Sequence, residues 1–533
     1  MMKVKMIGLM VKMGKNSRPF QAWRSVFIAS LNLLLSVIFF CGMTLAEKKP
    51  MNVLFIVSDD LRPELGCYGA EHMVTPNIDA LAKAGTLFDR AYVQQPVCTA
   101  SRASFLTGLR PDSTGSDYPY SIYTVEKLFE GNRPSIPRHF MNEGYYVRCI
   151  GKIHHGYEED FTEKSLQRWL PQYVDENMNK MGKKDRVPYE CADVPDEAYQ
   201  DGFHTQEAIK TLRRMAKQDK PFFLGLGLWK PHLPWNAPKK YWDLYDPAKL
   251  PLSPNPEHPK HSPNYSTDYC NLQKYKLPQS PNDLHVGDPE VARKMMHAYA
   301  ACVSYMDANV GKILAELDAL GLRENTVIAF ISDHGWHLGD QDHWGKSTNF
   351  ENSIRAPMII STPQHRGQQR TKALVEYVDV YPSLCDIAGL EVPSYLEGNS
   401  VKPLLDHPLR PWKKAAFSQY PRGYPKALFE GYSLRTDRFH YIQWRELDGS
   451  FKSHELYDHQ NDAIESRNVV SKKQYEETVE KLKQQLKAGW KAALPEGIVN
   501  VSNNPPAPEF LPWGNEAAFG PHAHKNKKRN KKK

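Results

Sequence analysis

The chain has 533 residues, 41% of them hydrophobic and 24% charged, a balance that excludes the disordered, collagen-like and disulfide-stapled classes. That length can bury a large core and suits one large domain with a smaller companion. The formal net charge of +8 says little about the fold, because much of it lies in Lys3, Lys5, Lys12, Lys15, Arg18 and Arg24 and in the closing KNKKRNKKK; with no aromatic stacking platform or nucleic-acid motif beside it, no nucleic-acid partner is expected.

Basic residues, an apolar run from Val26 to Cys41 and then Thr44-Leu45-Ala46 predict an export signal over residues 1–46, cleaved after Ala46. The apolar run is long enough that a membrane anchor through residues 26–43 stays open. Bulky Phe39 and Phe40 argue against a lipoprotein anchor at Cys41. The expected location is periplasmic or secreted. Seven further cysteines remain, Cys67, Cys98, Cys149, Cys191, Cys270, Cys302 and Cys385; an odd number in an exported chain leaves at least one unpaired.

Next come three short apolar runs, residues 52–58, 221–228 and 326–332, which end in Asp59-Asp60, Trp229-Lys230-Pro231-His232 and Asp333-His334. Helices are predicted over 77–84, 204–217 and 290–320, with Cys302 in the core of the last. Continuous apolar strands alternating with helices predict a parallel sheet buried on both faces. Ligands of such sheets bind beyond the carboxyl ends of the strands. Between the first two runs, Cys98-Thr99-Ala100-Ser101-Arg102 places a cysteine three residues before a predicted helix start, with an arginine one turn on. Helix N-termini and nearby cations lower a thiol's pKa, so an activated thiol is one reading and a buried core cysteine the other.

After about residue 405 the texture changes. Residues 427–444 predict two short strands with a turn near Thr436-Asp437, and 472–492 a helix, together a smaller α+β subdomain. From Asn503 onward Pro, Asn, Gly and Lys dominate, and this tail is expected to be poorly ordered. The expected division is residues 50–405, 406–502 and the tail 503–533.

Asp59, Asp60 and Asp333 can supply the oxygen donors that a hard divalent cation prefers. Without a cation, three gathered carboxylates would repel one another. His334 is a nitrogen ligand or a close neighbour, which from chemistry alone leaves magnesium or a transition metal open.

The segments NVLFIVSDDLRPELGCYG at 52–69, TPNIDALA at 75–82, CTASRASFLTG at 98–108, GKIHHG at 151–156, KPHLP at 230–234, SDHGWHLGDQDHWGKSTNF at 332–350 and SQYPRG at 418–423 resemble, in order, those of the type I, formylglycine-dependent sulfatases. The resemblance implies an α/β fold, an alkaline-phosphatase-like sandwich with a large, mostly parallel central sheet and a smaller C-terminal α+β subdomain. It implies oxidation of Cys98 to formylglycine by a formylglycine-generating maturation enzyme that must read Ala100 within the motif. It implies Ca2+ held by Asp59, Asp60, Asp333 and His334 with the modified Cys98, and in-line attack on sulfur by a hydroxyl of the hydrated aldehyde.

Carried over residue by residue, it also implies that Arg102 holds the hydrate and that Lys152, Lys346 and His232 contact the sulfate. His232 is the general acid and His155 the base, chosen over His154 by the family's spacing of Lys, two residues, His. Trp229 and Lys230 are expected as pocket walls, while Arg422 either reaches a uronate carboxylate or lies on a surface loop. The implied substrate is a sulfated carbohydrate such as a 2-O-sulfated uronate in a glycosaminoglycan-like chain. The alternatives are another sulfated polysaccharide such as an algal glycan, phosphodiester or phosphonate hydrolysis, and a catalytically silent glycan-binding protein with Cys98 unmodified. Segments 160–194 and 247–289 match none of the shared motifs.

Overall fold

Seven strands pair into one central sheet: β1 Asn52–Ser58, β2 Thr86–Tyr92, β3 Tyr146–Gly151, β4 Phe222–Gly227, β5 Thr326–Ser332, β6 Met358–Ser361 and β7 Gln369–Glu376, in the spatial order β7-β2-β6-β5-β1-β4-β3. The computed structural model describes residues 50–114, 133–155, 161–167, 172–182, 185–267, 270–277, 288–422, 429–446 and 448–502. The expected export signal and the lysine-rich tail lie outside the described residues.

The sheet is mostly parallel, as expected. Strand β6 alone runs against its neighbours β2 and β5, while the other pairs are parallel. Strand β1 shows why the runs at the sheet's centre are apolar without interruption. Leu54 and Ile56 face one layer, with Ile78, Leu212 and Met306; Val53, Phe55 and Val57 face the other, with Phe105, Phe140 and Leu384. A strand covered on both faces has no solvent side to alternate with.

The first layer holds α1 Pro76–Lys83, α4 Gln200–Met215 and α5 Pro289–Ala319; the second holds α2 Cys98–Thr107, α3 Ile136–Asn142 and α6 Val380–Ala388. Helix α5 starts where Asp288 accepts the Glu290 amide and a proline takes the first turn. Its buried Met295, Tyr299, Cys302, Met306, Val310, Ile313 and Leu317 recur every three or four residues, which makes one apolar face.

Beyond residue 405 the sequence predicts two strands, and the structure has four: β8 Ala416–Arg422, β9 Phe429–Arg435, β10 Phe439–Glu446 and β11 Phe451–Asp458, antiparallel in that order. Helix α7, Glu476–Ala488, covers this sheet with Val479, Leu482 and Leu486 against Leu434, Tyr441 and Leu456. The two missed strands carry several polar or charged residues, which hides them from an apolar count.

A buried charge cluster joins the sheets. Arg110 donates through Nη1 and Nη2 to the two Glu376 oxygens, both at 2.7 Å. Lys413 donates to Glu376 Oε2 at 2.8 Å and to Asp379 Oδ1 at 2.7 Å, and the Phe417 amide donates to Glu376 Oε1 at 3.0 Å. Burial pushes the Glu376 carboxyl up, but Arg110 and Lys413 outweigh it and hold the group at about 2, against an ordinary 4.5.

Lys413→Met leaves buried Asp379 without its cation and Glu376 with Arg110 alone, and is expected to cost about 3–5 kcal/mol of unfolding free energy in urea titrations. Because the folded value of Glu376 is depressed, its stabilisation is present above about pH 4.5 and is lost as pH falls toward about 2. Wild type should show that loss in acid denaturation, and Glu376→Gln should lack it.

Candidate active site

Strand register assembles the site. β1 and β5 are parallel and in register, Ser58 opposite Ser332, so Asp59-Asp60 and Asp333-His334 leave the sheet side by side. On the other flank, Val57 pairs with Gly227 and Gly227 with Gly151, so β3 delivers Lys152 and β4 leads to Trp229 and His232. The backbones crowd there: a Cβ on Gly227 would lie 2.1 Å from the Lys152 carbonyl carbon, and only glycine fits. Asp60 sits at φ 62, a strained conformation for a residue with a side chain. The Asp60 amide donates to Asp333 Oδ1 at 3.1 Å, and the Tyr299 hydroxyl to the Asp60 carbonyl at 3.0 Å.

Cys98 opens α2 directly, where the sequence predicts a helix start three residues later. Val97 provides the extended cap, and the Ser101 amide donates to its carbonyl at 2.9 Å. Cys98 Sγ lies 3.4 Å from Asp59 Oδ1 and 3.3 Å from His334 Nε2. Lys346 Nζ donates to it at 2.9 Å and to Asp60 Oδ1 at 2.5 Å. Lys152 is paired with Asp59 Oδ2 and lies 4.4 Å above the Trp229 ring.

His334 Nδ1 faces the Gly335 carbonyl at 2.9 Å. A carbonyl can only accept, so the proton is on Nδ1 and the Nε2 lone pair faces Cys98, Asp60 and Asp333. The same logic applies to His232: Nδ1 donates to the Leu233 carbonyl, and Nε2 points inward, 3.9 Å from Asp60 Oδ2, with 28% of the side chain open to solvent.

Arg102 joins the cluster from behind. Its Nε donates to Asp333 Oδ2 at 3.0 Å, and its Nη atoms donate to the carbonyls of Lys152, Ile153 and Ser58. These contacts orient the Asp333 carboxylate. His155 lies at the edge, half-buried, with its Nδ1 buried and without a hydrogen-bond partner. Its neighbour His154 stacks on Phe161 at 6.1 Å.

The electrostatics divide the two adjacent aspartates. Burial pushes Asp59 up, but Lys152 and Arg102 outweigh it and hold the carboxyl well below its ordinary range. Burial drives Asp60 well above that range, Lys346 opposing and Asp59 adding. Burial and then Asp59 push the Cys98 thiol up to about 11, against the lowering that a helix start alone would give. Burial, Lys152 and Arg102 lower His155 to about 3, and burial, reinforced by Lys346 and Lys152 against Asp59, takes His232 well below its ordinary value. Both imidazoles are therefore neutral at physiological pH.

The donor set fits a divalent cation. Asp59, Cys98, Asp333 and His334 offer ligand atoms within 4.8 Å of one another, as do Asp59, Asp60, Cys98 and His232. Asp60 Oδ2 is buried with no hydrogen-bond partner, a costly state for a carboxylate that a cation would relieve. Three buried carboxylates face three fixed cations, Arg102, Lys152 and Lys346; a divalent ion tips the balance to positive, as an anionic substrate requires.

A second group, Glu351, His440, His459 and Glu465, also places ligand atoms within 4.8 Å. Here Arg435 Nη2 donates to His459 Nδ1 at 2.8 Å, so the ring proton is on Nε2 and faces Glu465 Oε1 at 2.9 Å. That is a closed hydrogen-bond network, and it disfavours a cation.

The remaining candidates hold loops. His343 Nε2 lies 2.8 Å from the Lys346 carbonyl, and His337 bridges the Asp340 carbonyl and Thr348. Lys230 donates to the carbonyls of His232 and Pro234, as suits a wall. Asp201 carries no signal in the sequence: from the first turn of α4 its carboxylate accepts the Trp229 and Lys230 amides, both at 2.8 Å. One aspartate at a helix start carries no spacing signal.

Residues 51–390 match the family model described as Sulfatase, and residues 339–491 the one described as N-sulphoglucosamine sulphohydrolase, C-terminal. The chain is 32% identical over 510 residues to iduronate 2-sulfatase of Mus musculus and 32% identical over 509 residues to that of Homo sapiens, each time across 80% of this chain and 92% of the relative. A solved structure in complex with its substrate D-glucosamine-2-N,6-O-disulfate superposes with a TM-score of 0.67 at 23% identity, covering 86% of this chain and all of that one. The sandwich expected from the motifs is thus the fold observed.

Chelator-treated protein should gain stability when a divalent cation is added, by about 2.7 kcal/mol at a hundredfold excess over Kd, read as a rise in Tm. Asp333→Asn should abolish the gain; an undiminished rise in that variant would put the cation elsewhere.

Proposed function

This chain belongs to the sulfatase family and is a sulfuric ester hydrolase, and we propose that it desulfates a sulfated carbohydrate, with a 2-O-sulfated uronate of a glycosaminoglycan-like chain as its substrate. The observation that carries the proposal is the placement of position 98 within reach of Asp59, His334 and Lys346 in one buried cluster. Within the family, the motifs from 52–69 to 418–423 most resemble iduronate 2-sulfatase, and the identity over 80% of the chain supports the choice of sugar.

Formylglycine made from Cys98 by a maturation enzyme would supply a geminal hydroxyl as nucleophile, and Asp59, Asp60, Asp333 and His334, with position 98, would hold a calcium ion that would supply Lewis-acid stabilisation of charge there. The oxygen-rich donor set favours calcium over softer ions.

The chain's own groups then divide the work. Lys346 and Lys152 hold the sulfate oxygens, and Arg102 keeps Asp333 aimed at the cation. His232 has its Nε2 directed inward and partly open to solvent. The negative charge of a bound sulfate ester raises its proton affinity, so it takes up a proton and passes it to the departing alkoxide. His155, neutral and half-buried, accepts the proton that is released when position 98 is regenerated.

We further take residues 50–405 as the catalytic part and 406–502 as its smaller companion, and the protein as exported through residues 1–46, with an anchor through 26–43 as the variant of that reading. Among the described residues no helix is long and apolar enough to cross a membrane.

Protein co-expressed with a maturation system should release sulfate from 2-O-sulfated uronates, and its Cys98 peptide should weigh about 18 Da less than the cysteine form, the difference between thiol and aldehyde. Cys98→Ala should abolish turnover, and His232→Ala should lower kcat by about 10²–10⁴-fold. Activity on another sulfated polysaccharide alone would reassign the sugar; full activity in Cys98→Ala would overturn the mechanism.

A further inference from the structure

Strand β8 grips the catalytic part along its length. Near its middle the Gln419 amide donates to the Gln94 carbonyl at 2.8 Å and Ser418 Oγ donates to the Val93 carbonyl, both on the segment that runs from β2 to Cys98. At its end stands Arg422, which is 3% exposed and so lies on no surface loop. Its guanidinium packs against the Tyr420 and Trp444 rings at 5.2 and 5.3 Å.

The fork of Arg422 reaches backbone carbonyls on two other segments. Nη1 donates to the Ser347 carbonyl at 2.7 Å, Nη2 to the Ser266 carbonyl and Nε to the Tyr265 carbonyl. A planar guanidinium can serve separate acceptors at fixed angles, whereas a lysine ammonium offers no such fork.

Ser347 is the residue after Lys346. It sits at φ 73, in the left-handed region, where a serine persists only if its surroundings hold it. They hold it twice: its carbonyl accepts from Arg422, and its amide donates to the Pro96 carbonyl at 3.1 Å, two residues before Cys98. The 2.9 Å approach of Lys346 Nζ to Cys98 Sγ therefore rests on a backbone clamp closed from the smaller sheet.

We infer that Arg422 is a positioning residue, which holds Lys346 against position 98 through Ser347 and does not bind the substrate's carboxylate. The inference rests on the role proposed above for Lys346. It also gives the smaller sheet a part in the chemistry: the end of β8 sets the reach of an ammonium that touches the reacting position.

The test compares matured wild type with Arg422→Lys and Arg422→Gln on two esters, a small aryl sulfate that has no carboxylate and a 2-O-sulfated uronate. Lysine keeps a donor of similar reach and glutamine a shorter, uncharged one, and both lose the fork. Small misplacements of a charged group cost up to about a hundredfold, so kcat should fall about 10- to 100-fold on both esters, with KM changing less than about threefold. In a double-mutant cycle, Arg422→Lys should add little to Lys346→Ala, because both act through one ammonium.

A KM rise confined to the uronate would make Arg422 a carboxylate ligand and overturn the inference. So would unchanged kcat, additive effects in the cycle, or loss of the fold in both variants by circular dichroism and Tm, which would assign Arg422 to folding alone. Failure of the proposed function reads differently, since wild type itself would then hydrolyse neither ester.

Discussion

Two parallel strands paired in register at the middle of a sheet, each ending in acidic residues, set the terms for everything around them. Once Ser58 lies opposite Ser332, Asp59, Asp60 and Asp333 have to share a space closed to water, and like charges so placed repel strongly. The surrounding residues answer that repulsion. Arg102 backs the carboxylates from α2, Lys152 enters from β3 and Lys346 from the loop after β5. The cluster is electrically poised, with its positive groups already aimed at where an anion would rest.

The central sheet was largely legible in the sequence because strands buried on both faces read as unbroken apolar runs. β1, β4 and β5 announce themselves in this way. The others do not: β2 carries Asp89-Arg90, β3 carries Arg148, and β7 begins Gln369-Arg370-Thr371-Lys372. Toward the sheet's edges polar side chains can reach neighbours or solvent, and the apolar signal thins. The long helices were placed to within a few residues, since their apolar positions recur with the helical period.

The site was legible where chemistry sits at strand ends in short motifs, as with Asp59, Asp60, Asp333, His334 and Lys346. It was not legible where function depends on groups that meet only in three dimensions. The start of α2 was misplaced because Val97 caps it without a side-chain hydrogen bond, so none of the usual Ser, Thr, Asp or Asn signals is present. Asp201 and Tyr299 act on backbone atoms far away in sequence, which no local pattern encodes. Arg422, flanked by Pro and Gly, has the sequence context of a loop residue, and its burial against Trp444 shows only in three dimensions.

The pairing of β1 with β5 spans most of the catalytic part: the Asp60 amide meets a carboxylate 273 positions later. Long-range strand pairing of this kind closes late, because the intervening chain must be made first. At synthesis rates of about 5–20 residues per second, residue 326 follows residue 98 by roughly 10 to 45 seconds. During that interval the nascent chain carries Cys98 without the neighbouring strand end that will enclose it. The side chain that is nearly inaccessible in the finished molecule thus has a youth spent in the open, and its accessibility depends on the age of the chain.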